Sequence, residues 1–110
     1  MRFIMIMVLG LFVASADAGT WSTNKAKEEV AERHGGRVDK YTRGTKADVT
    51  TRTHTIEVDD SKHYDRAIQK AKEDAQGTGK KAGVSFTGGS QFDQDRAERK
   101  AKAAGVKVFK

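Results

Sequence analysis

Between Asp60 and Ser61 the apolar period of the chain changes from two to three-and-four, and that change constrains the fold more than any other feature. Upstream, "KADVT" and "HTIEV" alternate polar and apolar residues, as strands do when one face is buried. Downstream, Tyr64, Ala67, Ile68, Ala71 and Ala75 repeat at helical spacing behind a cap at Asp60 or Ser61. A strand that feeds directly into a helix, followed by the compact apolar run "KAGVSF", predicts a β-α-β passage and therefore parallel neighbours.

The same reading extends in both directions. Trp21-Ser22-Thr23-Asn24 offers a helix cap, and "KAKEEVAER" carries Ala26, Val30 and Ala31 on one face before Gly35-Gly36 stops it. "RVDKY" alternates and Arg43-Gly44-Thr45 turns, giving three short strands in a row. After Gly88-Gly89, Ser90 caps "FDQDRAERKAKAA", and "VKVF" closes the chain as a strand. The predicted order is α-β-β-β-α-β-α-β, a single small α/β domain with a mixed sheet flanked by helices.

The N-terminus reads differently. Arg2, an apolar run from Phe3 to Val13 and small residues ending at Ala16-Asp17-Ala18 have the layout of a secretory signal peptide, so residues 1–18 are expected to be a leader and 19–110 the domain. The apolar core is short against the roughly twenty residues that span a bilayer. Export to the periplasm or medium is therefore expected, with no stable membrane insertion after cleavage. A chain of this length holds one core, burying about 60 to 65% of its unfolded surface. With no cysteine, disulfide scaffolds and cysteine zinc sites are excluded. The formal charge of +6 suits a polyanion such as DNA or RNA, and is also found on domains that bind nothing charged.

The acids in "ADVTTRTHTIEVDD" carry the chemistry. A hairpin centred on Arg52-Thr53 sets Asp48 opposite Glu57, and alternation puts Asp48, Glu57 and Asp59 on the face away from Val49, Ile56 and Val58. Like charges across a strand pair are destabilising, so they need a cation, a shifted pKa or solvent. One reading is a hard ion, magnesium or manganese, held by Asp48 and Glu57 together with a phosphodiester. The other is a solvated strand face whose acids pair with Lys46, Arg52 or Lys62.

An acid on the second strand and Glu-x-Asp on the third, within this element order, resembles the PD-(D/E)XK nuclease-like superfamily, of restriction-endonuclease-like fold. More closely, Thr53, His54, Ile56, Glu57, Val58, Asp59, Tyr64, Ala67, Ile68, Thr78, Gly79, Lys80, Gly83 and Val84 are similar to the T-H-x-I-E-V-D and T-G-K-x-x-G pattern of a group of small exported bacterial proteins of that fold. The resemblance implies a magnesium-dependent nuclease in which Asp48 and Glu57 bind the metal and Asp59 supports it or orients water. The superfamily usually has lysine where Asp59 stands, and Lys70, on the flank of the following helix, is the candidate to replace it. The same departure allows a catalytically inactive binding module of the same fold, with a nucleic acid or protein partner.

Other motifs point elsewhere. "GTGKKAG" closes a helix and opens a strand, the reverse of a phosphate-binding loop. His34, His54 and His63 lack the spacing of a helical zinc site, and no serine lies in a G-x-S-x-G context.

Overall fold

The structure, a computed structural model, describes residues 18–38 and 48–110, and of residues 18–23 the backbone alone. The expected leader up to Asp17, the outer part of "RVDKY", the turn at Arg43–Thr45 and the start of "KADVT" lie outside the described residues. Helix α1 (Ala18–His34) leads into β1 (Arg37–Val38), β2 (Val49–Thr50) and β3 (His54–Asp60). A 3-10 turn (Ser61–His63) opens helix α2 (Tyr64–Thr78), followed by β4 (Lys81–Thr87), α3 (Gln91–Ala103) and β5 (Lys107–Val108).

The order of types matches the periodicity, and the strands lie side by side in chain order. β1 with β2 and β2 with β3 pair antiparallel, whereas β3 with β4 and β4 with β5 pair parallel across the α2 and α3 crossovers. Val49 pairs with Ile56 and Thr50 with Thr55, the register expected of the hairpin.

Both faces of the sheet are covered. On one, Val30 and Ala31 of α1 pack with Val49, Ile56, Val58 and Phe109. On the other, Ala67 and Ala71 of α2 and Ala101 of α3 pack with Val84 and Val106. Alanines at the contact positions let α2 and α3 lie close on the strands, so a short chain buries two thin layers rather than one thick core. Among the described residues no helix is long and apolar enough to cross a membrane.

Two boundaries differ from expectation. α1 begins at Ala18, upstream of the cap expected among Trp21–Asn24, with Gly19 in its first turn and no proline to stop it. β3 runs on to Asp60, since Asp59 and Asp60 find partners in Phe86 and Thr87 of β4. α2 ends within Gly77-Thr78-Gly79, as expected, at Gly79, whose φ of 78° suits a residue without a Cβ and whose N–H donates to the Ala75 carbonyl.

The cap of α3 follows the sequence, whereas Asp60 caps the 3-10 turn and α2 itself starts behind His63 with no side-chain cap bond. Asp60 accepts a hydrogen bond from the Lys62 amide at 2.8 Å. Ser90 accepts from the Asp93 amide at 3.1 Å while Asp93 accepts from the Ser90 amide at 3.0 Å, a reciprocal capping box. Ser90→Ala is expected to cost about 1 kcal/mol in urea unfolding; an unchanged midpoint would mean that this cap does not hold α3.

Candidate functional site

The hairpin, α1 and α2 converge on one group of charged side chains. Glu57 sits in the middle of β3 on the face that α2 covers, and is only 5% exposed. The solvated strand face is therefore overturned for Glu57: α2 lies across it, and among the described residues its ion-pair partner is Lys70 rather than Arg52 or Lys62, while Lys46 lies outside the described residues. Lys70 of α2 places its Nζ 3.9 Å from Glu57 Oε2. The flank position read from the helical wheel is thus close enough for the lysine to reach inward while staying partly exposed.

Asp48 is anchored on two sides. Its Oδ2 accepts a hydrogen bond from the Val58 amide at 2.8 Å, and its Oδ1 lies 3.2 Å from Lys27 Nζ of α1. The Val58 amide fixes the carboxylate to the neighbouring strand, and the lysine offsets its charge. Glu57 feels this carboxylate directly.

A third acid, Asp74, completes the group and was not singled out from the sequence. It lies one turn beyond Lys70 on α2 and is 4% exposed. The signal was present: Ala67, Ala71 and Asp74 fall on one helical stripe, and an acid on a buried stripe needs a reason. With both groups ionised, Glu57 Oε1 and Asp74 Oδ2 are buried with no donor among the described residues, and only a proton held between the carboxyls would join them.

The electrostatics follow from this crowding. Glu57 is pushed up from 4.5 to about 9, first by burial, then by the Asp48 charge and a hydrogen bond shared with Asp48, against a downward pull from Lys70. Asp74 is also raised, chiefly by burial, while a hydrogen bond with Glu57 and the charge of Lys70 oppose the shift. The Glu57 and Asp74 carboxyls thus sit together, beside the charges of Asp48 and Lys70. Burial dominates, so at neutral pH the neutral form of Glu57 is favoured unless a cation replaces its proton.

Asp59 is placed apart from this group. It pairs with Arg66 of α2 at 3.1 Å, its Oδ1 accepts from the Asp60 amide, and His63 stands 3.9 Å away. Lys80, of the glycine-rich segment, donates from Nζ to the Thr51 carbonyl at 2.7 Å, so it ties the β2–β3 turn to the end of α2. His34 and His54 both present their rings edge-on to Phe109, at centroid distances of 4.9 and 5.1 Å.

An all-oxygen donor set suits magnesium or manganese. Among the described residues no three acid or histidine side chains form a ready-made ligand cage. Such an ion does not need one, because it usually binds through one or two carboxylates and completes its shell with water and phosphate oxygens. The unpartnered Glu57 Oε1 and Asp74 Oδ2 are the kind of atoms that a hard cation would satisfy, and in this sense the residues fit it. No protein-family model, curated protein or solved structure matches the chain.

Proposed function

We propose that the chain is a small exported nuclease-like protein of the PD-(D/E)XK type, with a restriction-endonuclease-like topology, that hydrolyses phosphodiester bonds in DNA or RNA with magnesium or manganese. The observation that carries this reading is the pair of buried carboxylate oxygens, on Glu57 and Asp74, that no donor of the described residues satisfies when both are ionised, beside Asp48 and Lys70. Leaving such groups without a partner costs about 1–3 kcal/mol each, more when charged. A proton or a cation must offset that cost.

In this reading Asp48 and Glu57 hold the ion. When bound, such an ion polarises a phosphoryl oxygen and makes water a better nucleophile. The protein's own groups do the rest. The Val58 amide and Lys27 keep Asp48 in place. Lys70 sets a positive charge beside Glu57, where it can face the charge that develops on the phosphorane oxygens. The raised affinity of Asp74 for a proton is the direction a base needs to take one from water near neutral pH. Asp59, committed to Arg66, holds the start of α2 against the end of β3 rather than touching substrate.

Incubation of labelled DNA and RNA with each divalent ion tests the proposal. Cleavage by the wild type should disappear in Asp48→Ala and Glu57→Ala, and fall about 10- to 100-fold in Lys70→Ala or Asp74→Asn. Cleavage by the Asp48→Ala/Glu57→Ala double variant would refute it. A second reading, a binding module that has lost the chemistry, is favoured by the Asp59–Arg66 pair, which occupies the motif position where a lysine usually stands. It predicts salt-sensitive nucleic-acid binding with neither cleavage nor metal uptake.

A further inference from the structure

At the pole opposite the starts of α2 and α3, the described residues carry few acids, Glu73 beside Lys80 and Gly79 among them. The sequence has no aspartate or glutamate in residues 33–38, 49–56, 75–92 or 99–110. Those stretches contain the end of α1, the β2–β3 turn, the end of α2 with the start of β4, and the end of α3 with the start of β5. The strand register brings them together. Arg37 pairs with Thr50, Thr50 with Thr55, Thr55 with Ala82, and Gly83 with Lys107, so the first residues of β1, β3, β4 and β5 form one edge.

That edge carries Arg37, Arg52, Lys80, Lys81, Lys102 and Lys107, all but Lys80 exposed. Arg37, Arg52 and Lys80 line a shallow cavity of about 330 Å³ with Gly35 and Gly36. The field of the cations is felt locally: burial and then the charges of Lys107 and Lys81 hold His54 below its ordinary value.

Cations at the ends of helices often serve only to complement the helix dipole. That accounts for Lys102 in the last turn of α3. It does not account for Arg52, on a hairpin turn, or for Lys81 and Lys107, which begin strands, while the last turn of α2 has no basic residue at all. Gly35, Gly79 and Gly105, which follow the three described helices, all have positive φ and open space where a Cβ would stand. An elongated ligand therefore meets little steric relief along this edge.

We infer that this pole is a binding surface for the phosphate backbone of a nucleic acid, separate from the Asp48–Glu57–Asp74 cluster and independent of its chemistry. Strands lie about 4.8 Å apart, so the row from β1 to β5 spans about 19 Å. At about 3.4 Å per nucleotide, that length matches five or six residues of one strand, which is more than a single phosphate group needs. An anionic lipid surface is the less suited occupant, because the one large apolar side chain exposed among the described residues, Phe92, lies at the start of α3, at the other pole.

Fluorescence anisotropy of a labelled oligonucleotide with the full chain in EDTA tests the inference without any cleavage. Affinity should fall linearly with the logarithm of salt concentration. Arg52→Gln/Lys81→Gln/Lys107→Gln should weaken binding at least about tenfold and reduce the salt slope by about two. The control Lys25→Gln/Lys62→Gln/Arg66→Gln removes the same charge from elsewhere and should leave most of the affinity. Equal losses in the two variants, no binding by the wild type, or tighter binding to vesicles rich in anionic phospholipid at the same salt would each overturn the assignment. Binding of this kind with an inactive acid cluster would leave the inference standing and remove only the proposed hydrolysis.

Discussion

Glu57→Gln is expected to make the metal-free domain more stable at and above neutral pH and to flatten the dependence of its stability on pH. In the folded chain the Glu57 carboxyl is raised from 4.5 to about 9 by burial and by Asp48. The folded state therefore keeps a proton that the unfolded chain releases, and stability must fall as pH rises. The contribution is fully present below about 4.5, the unfolded value, and is lost as the pH climbs to about 9. The slope is at most about 1.4 kcal/mol per pH unit. Glutamine keeps the shape and cannot titrate, so the variant should show little of this slope. Urea unfolding between about pH 5 and pH 8, in EDTA, makes the comparison. A wild type whose stability rises with pH across that window would contradict the placement of Glu57.

The second large effect concerns the tail of the chain. Gly83 of β4 lies under the Phe109 ring so closely that a Cβ there would stand 2.5 Å from Phe109 Cε1 and 2.9 Å from Cδ1. Phe109 is 7% exposed, edged by the His34 and His54 rings, and its amide donates to the Val84 carbonyl at 2.7 Å. The ring has little room to yield. Gly83→Ala is expected to destabilise by about 1–3 kcal/mol through overpacking. Phe109→Leu should recover at least about 0.5 kcal/mol of that loss in a double-mutant cycle. Additive effects would show that the ring does not rest on Gly83.

These two positions mark what the sequence can and cannot disclose. The hairpin register was legible, because alternation around a short turn leaves one pairing that buries Val49 and Ile56 together. The reach of Lys70 was legible too, since helical spacing put it on the flank nearest β3. The role of Asp74 was written in the same stripe, as an acid among alanines, but only the position of α2 over Glu57 gives it a partner. The pairing of Asp59 with Arg66 depends on how the 3-10 turn aims the first turn of α2, and no local pattern encodes that angle. The closure of Phe109 over Gly83 joins residues from two strands across a helix, and single-sequence periodicity is silent on such contacts.

In the proposed function the acid cluster is a site rather than a scaffold. A buried glutamate beside two aspartates lowers stability at neutral pH, and a glutamine of the same shape would not. Lys27 and Lys70 offset part of the charge without satisfying Glu57 Oε1 or Asp74 Oδ2. A divalent cation would satisfy the Glu57 oxygen by displacing its proton, so its affinity must rise with pH and its binding must release protons.

Calorimetric titration of magnesium, and then manganese, into wild type and Glu57→Gln tests this claim most directly, near pH 8 in two buffers of different ionisation enthalpy. The account predicts one ion per chain, bound with net proton release in the wild type and not at all in the variant. Absence of binding to the wild type, or equal binding to both proteins, would contradict it.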